Sequence, residues 1–119
     1  MIKANLTSDN TTIKFAIDDC SQTAKDFLSI LPLSLKMNNY DGREFYGVIK
    51  PLSEDGPTIP TFKNGDVTYY TTGKSLAIFF GKDNQSQQTD LIKIGEVISD
   101  LNEFKKLGQS ADVKIEVDN

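Results

Sequence analysis

Few residues in this chain can carry reaction chemistry. It contains no His, which removes His-dependent triads, His general bases and His metal ligands together. The single Cys, Cys20, allows no internal disulfide and no thiolate cluster. Arg43 is the only Arg, and every other cationic side chain is Lys. A guanidinium offers planar, bidentate recognition that an ammonium does not, so Arg43 is the candidate catalytic or anchoring cation. The competing reading is a solvated residue after an Asp41-Gly42 turn, paired with Glu44. Seven aromatics, Phe45, Tyr46, Phe62, Tyr69, Tyr70, Phe79 and Phe80, fall in the middle of the chain. On adjacent strands they would line a concave apolar patch suited to a proline or small ligand, or else fill the core. Alternation along a strand sends Tyr69 and Tyr70 to opposite faces, and Phe79 and Phe80 likewise.

The remaining candidates have plain structural explanations. Asp18-Asp19, Glu54-Asp55 and Asp83 read as caps of turns and helix starts. Without His or Ca²⁺-loop spacing they predict no metal site, and no cofactor is expected. Cys20 precedes a helix, where a thiol pKa can be lowered, but no base or resolving thiol accompanies it, so a buried or inert Cys is the expectation. Lys105-Lys106 complement the dipole at the end of a second helix.

These residues must be held by one compact unit. The chain has 119 residues, room for a single domain over 1–119. Its 38% apolar content fills a core and its 25% charged content keeps it in solution, which excludes a disordered chain. A net charge of −4 argues against duplex nucleic acid and anionic membrane as partners. The opening MIKANLTSDN lacks the apolar core of a signal peptide. No apolar run nears the roughly 20 residues that cross a bilayer. A cytoplasmic location is the expectation.

Ile2, Ala4 and Leu6 alternate with polar neighbours, as do Ile13, Phe15 and Ile17, with turn-forming residues between them; this is a β-hairpin. Ser21 is placed to cap a short helix carrying Ala24, Phe27, Leu28 and Leu31 at i, i+3, i+4 and i+7, and Pro32 ends it. Strands follow over Leu33–Met37 and Phe45–Ile49, then a Pro-rich loop over Pro51–Pro60. Asn64-Gly65 favours a type I′ hairpin turn. Val67–Thr71 and the wholly apolar Leu76–Phe80 are further strands, the second covered on both faces. Lys82–Asp90 is a long polar loop, either a recognition lid or a plain connection. Leu91–Val97 is a strand. Ser99 is placed to cap a second helix in which Ile98, Leu101, Phe104 and Leu107 recur every three residues, stopped by Gly108. Val113, Ile115 and Val117 form a last strand. About eight mostly antiparallel strands must hide their edges, and closure does so completely. The predicted fold is therefore mainly β: a closed, mostly antiparallel eight-stranded barrel with two α-helices. An open α+β sheet with both helices on one face is the alternative.

The segments Gly65-Asp66-Val67-Thr68-Tyr69-Tyr70, Gly73 through Gly81 and Ile94-Gly95-Glu96-Val97, with Thr23-Ala24 and Leu31-Pro32-Leu33 before them, resemble the small bacterial cyclophilin-like domains. The resemblance implies an eight-stranded antiparallel barrel with two helices. True cyclophilins are peptidyl-prolyl isomerases. They carry a Phe-His-Arg segment whose Arg polarises the prolyl amide, and their pockets include a Trp and a His, both absent here. The matching segment is Phe45-Tyr46-Gly47, which puts Gly47 at the catalytic Arg position. The family's Phe-Phe matches Phe79-Phe80, and its Gln becomes Ile78. The amide barrier is ~18–20 kcal/mol, so loss of the cation predicts little or no isomerase activity. The resulting expectation is a binding module for a peptide, protein or small molecule. Its shallow aromatic groove would be built from Tyr46, Gly47, Tyr70, Ile78 and Phe80, with Arg43 at the rim. The alternative is a working isomerase that uses Arg43 as its polarising cation.

Overall fold

The computed structural model describes residues 1–82 and 90–118. Most of the Lys82–Asp90 loop, with Asp83, lies outside the described residues. Eight strands close on themselves: β1 (Ile2–Thr7), β2 (Thr12–Ile17), β3 (Leu33–Tyr40), β4 (Glu44–Val48), β5 (Asp66–Tyr70), β6 (Ser75–Phe79), β7 (Leu91–Val97) and β8 (Ser110–Val117). Around the barrel the order is β1-β2-β7-β5-β6-β4-β3-β8, every neighbour antiparallel, and β8 returns to β1. The closed barrel, rather than the open sheet, is the architecture.

Helix α1 spans Gln22–Ser29, and the Ser21 hydroxyl accepts a hydrogen bond from the Ala24 N–H at 3.1 Å, as the sequence predicts. The second helix differs from expectation. Leu101–Leu107 is a 3₁₀ helix, and its cap is Asp100, whose Oδ1 accepts from the Asn102 N–H at 2.9 Å. Ser99 instead accepts from the Lys14 N–H at 3.0 Å. The three-residue apolar spacing is the physical reason, because side chains at i and i+3 eclipse in a 3₁₀ helix and share one face. The Asn64-Gly65 turn also differs. Only Gly65 has a positive φ, 98°, and the turn leads from a loop into β5 instead of joining two paired strands. No helix among the described residues is long and apolar enough to cross a membrane.

The interior core takes Leu6, Ile13, Phe15 and Ile17 from the first hairpin, Met37 and Phe45 from β3 and β4, Tyr69 from β5, and Leu76 and Ile78 from β6. Phe27 of α1 and Phe104 of the 3₁₀ helix join the same core. A second, smaller core of Phe62, Ala77, Phe79 and Leu91 lies on the outer face. Alternation explains both, since Leu76 and Ile78 point in while Ser75, Ala77 and Phe79 point out. All five residues of β6 are buried, as its unbroken apolar run predicts.

The loop that covers this outer core is tied to α1. Thr23, fully buried, donates its hydroxyl to Ser53 O at 2.5 Å and accepts from the Asp55 N–H at 2.9 Å. Asp26 accepts from the Ser53 N–H at 2.8 Å, which holds its carboxyl below the usual range. The Leu52 N–H donates to the Tyr69 hydroxyl at 3.2 Å.

A close seam joins β2 to β7 through Phe15↔Val97, Ala16↔Glu96 and Ile17↔Gly95. A Cβ on Gly95 would stand 2.3 Å from Ala16 O and 3.1 Å from the Ile17 Cα. Backbone cannot yield there as a side chain would. Gly95→Ala is therefore expected to cost about 2–3 kcal/mol by overpacking, read as a lower urea midpoint with unchanged slope. An unaltered midpoint would refute the close approach.

Candidate functional site

The outer face of β4, β6 and β5 carries the candidate site. Cross-strand register places Tyr46 beside Ala77 and Ala77 beside Thr68. The next row is Val48, Ser75 and Tyr70. β6 thus lays small side chains along the middle of a trough, and tyrosines stand on the strands to either side. The trough encloses about 380 Å³ and is lined by Tyr40, Arg43, Glu44, Tyr46, Tyr70, Gly73, Ser75 and Ala77. Tyr70 leans against Gly73, where a Cβ would stand 2.8 Å from its ring. Tyr40 and Tyr46 meet edge to face at 6.5 Å.

One end is closed by charge. Arg43 donates through Nε to Glu44 Oε1 at 2.7 Å and through Nη2 to the same oxygen. Its guanidinium lies 4.8 Å from the Tyr40 ring centre and 5.0 Å from that of Phe62. Phe62 in turn stacks on Phe79 at 4.2 Å. Ring faces attract a guanidinium, and more so out of water. Two consecutive residues share this face because Arg43 precedes the strand. It follows Asp41 and Gly42, both with positive φ, and its carbonyl accepts from the Phe80 N–H at 3.0 Å. Glu44 then begins the alternation outward. Its side chain is 9% exposed and that of Arg43 16%. Burial pushes the Glu44 carboxyl above the usual range, and Arg43 acts in the opposite direction.

Of the residues the sequence singled out, the structure brings together Arg43, Tyr46 and Tyr70. It separates Gly47, Ile78 and Phe80 from them. Gly47 shares the inward face with Phe45, and a Cβ there would meet Leu35 Cδ1 at 2.7 Å and Lys36 O at 2.9 Å. A catalytic side chain at Gly47 would therefore not reach the trough. Ile78 is fully buried in the interior core. Phe80 packs against that core and stacks on Phe104 at 5.0 Å. Phe79, not Phe80, is the outward member of the pair. Sequence reasoning passed over Tyr40, Ser75 and Ala77, and met Glu44 only as a partner for Arg43. The signal was available in the out-facing phase of β6: Ser75 and Ala77 are small where Leu76 and Ile78 are large.

The other candidates have local roles. Asp18 accepts from the Cys20 N–H at 3.2 Å. Cys20 is exposed rather than buried, and the Asp18 carboxylate beside it raises rather than lowers the thiol pKa. Glu54 pairs with Lys74 at 3.0 Å and Lys106 with Glu103 at 3.0 Å. A larger depression of about 560 Å³ between the β1–β2 turn, β3 and β8 is lined by Thr7, Ser8, Asp9, Ser34, Leu35, Lys36, Asp112, Val113 and Lys114. It has no aromatic residue and no buried ionisable group.

The pattern of the cyclophilin-like family matches residues 6–116. The chain belongs to the cyclophilin-like family. The fold of this cyclophilin-like domain also matches the solution structure of a hypothetical protein from Archaeoglobus fulgidus. The two share 19% identity and a TM-score of 0.73, over 97% of this chain and 93% of that one. McbB in complex with tryptophan is similar at 12% identity and a TM-score of 0.68, over 98% of this chain but 44% of McbB. No curated protein matches it.

Removing one member of a buried ion pair strands the other charge, at a cost of about 3–5 kcal/mol when burial is complete. Arg43 keeps some exposure, so Arg43→Met is expected to cost about 2–3 kcal/mol, with part recovered in Arg43→Met/Glu44→Gln. Without Arg43 the Glu44 pKa should rise further. The native state then holds this proton more tightly than the unfolded chain does. Stability accordingly falls as pH rises from the ordinary glutamate value to the raised native one. Carboxyl ¹³C NMR titration reads the shift directly, and an unmoved Glu44 pKa would show that the pair is not coupled.

Proposed function

We propose that this cyclophilin-like domain is a binding module that takes a small molecule or an extended peptide segment in the outer trough. The observation that carries this reading is the combination of small Ser75 and Ala77 with flanking Tyr46 and Tyr70, ended by the Arg43–Glu44 pair. Small ligands favour such concave, mostly apolar sites with a few convergent polar groups. The fold of the family supports a module of this kind.

The second reading, a prolyl isomerase, is favoured by one feature: Arg43 lines the same trough. Polarising a prolyl amide needs an uncompensated cation over the ring. Here the charge is balanced by Glu44 and the guanidinium is packed between aromatic rings. The binding role is therefore the stronger reading.

Titration of ¹⁵N-labelled protein with a proline-containing tetrapeptide and a set of ring-bearing small molecules tests both. Shift changes are expected at Tyr40, Tyr46, Tyr70 and Ala77, and should disappear in Tyr46→Ala and Tyr70→Ala. Changes confined to the depression beside β8 would overturn the assignment. Exchange NMR on the same peptide should return the uncatalysed isomerisation rate. Acceleration that vanishes in Arg43→Met would establish the isomerase instead.

A further inference from the structure

The lining of the trough is balanced in charge. Arg43 and Glu44 both line it, and they are paired with each other, Nε and Nη2 of Arg43 donating to Glu44 Oε1. The other lining residues, Tyr40, Tyr46, Tyr70, Gly73, Ser75 and Ala77, are not of charged types. The charged residues that adjoin the lining in the chain, Asp41 and Lys74, are matched in turn. Asp41 pairs with Lys82 at 2.8 Å and Lys74 with Glu54 at 3.0 Å. An ion entering such a trough sheds water and is attracted by one member of the Arg43–Glu44 pair while the other repels it. A polar but uncharged group sheds its water at lower cost and can turn its dipole along the pair. A site can thus discriminate by withholding a counter-charge as well as by offering contacts. The walls set the shape. Tyr46 and Tyr70 flank β6 from the strands on either side, about 10 Å apart at the usual strand spacing, room for one planar ring. Small Ser75 and Ala77 leave the floor open beneath it.

From these features, and resting on the binding-module reading above, we infer that the trough selects an uncharged planar ring compound bearing an amide-like polar group, over both its cationic and its anionic counterparts. The ring lies over Ser75 and Ala77 between the tyrosines, and the polar group meets the Arg43–Glu44 pair. Selectivity comes from the balance within that pair, so removal of one member should change which ligand charge is preferred.

Benzamide, benzamidinium and benzoate test this, since they share one ring and a planar side group of similar size but are neutral, cationic and anionic. In NMR titrations of the unmodified protein at neutral pH, benzamide is expected to bind about tenfold tighter than either ion, the scale of one polar group desolvated without a partner. Shift mapping should put all three at Tyr46, Tyr70 and Ala77. A weaker affinity of ions for any apolar surface would give the same order, and Glu44→Gln separates the two causes. That variant leaves Arg43 as the charged residue of the lining, so benzoate should rise to match or pass benzamide while benzamidinium falls further. Either ion binding the unmodified protein as tightly as benzamide, or an unchanged order in a Glu44→Gln protein whose amide spectrum shows it folded, would overturn the selectivity while leaving the binding trough intact. Should that variant not fold, the comparison in the unmodified protein decides. Failure of all three compounds to perturb the trough would overturn the selectivity too, and the module reading would then stand or fall on the peptide and fragment titration.

Discussion

Closure of the barrel is the constraint from which the rest follows. Once eight strands form a ring with no free edge, every strand residue faces either the interior or the outside. β6 shows the consequence most sharply. Its inward residues, Leu76 and Ile78, join the interior core, while Ser75, Ala77 and Phe79 are turned out. The outward set is small at two positions and aromatic at the third, so the outer face has a trough with a wall across one end. The neighbouring strands obey the same phase, which puts Tyr46 and Tyr70 beside the small residues and Phe45 and Tyr69 behind them.

A second layer of interactions fixes the shape of this trough. The segment between β4 and β5 would leave Phe79 exposed if it were loose. Thr23 and Asp26 of α1 hold it down through hydrogen bonds to Ser53 and Asp55, and Tyr69 holds it from the interior side. Phe62 can then stack on Phe79 and offer its other surroundings to Arg43. The single guanidinium of the chain is thereby kept close to a carboxylate among aromatic rings. This is a low-dielectric setting, where both charges act more strongly than they would on an open surface.

Much of this was legible in the sequence. Period-two patterns located the first hairpin and β3, Ser21 announced the start of α1, and the unbroken apolar run of β6 announced a strand covered on both sides. The number of strands and the tight turns between them pointed to closure. The site was only half legible. Arg43, Tyr46 and Tyr70 line one trough, whereas Gly47, Ile78 and Phe80 belong to the inner face of the barrel. Motif matching conveys which residues occur together, not which phase of a strand they occupy, and a shift of one residue exchanges inside for outside. The closeness of Tyr40 and Phe62 to Arg43 was beyond reach for a different reason. They arrive from the end of β3 and from a loop, and no local periodicity links either to Arg43.

The pairing of β8 with both β1 and β3 has a kinetic side. Ala4 lies opposite Val117, and Leu33 opposite Ile115, so the ring can be completed only by contacts between segments far apart along the chain. Such contacts carry a large loop-closure entropy and arrive late in folding. Until they form, β1 and β3 each present an unpaired edge rich in backbone donors and acceptors. Any state in which β8 has not docked leaves two strand edges open to another chain, a hazard that the finished cylinder does not carry.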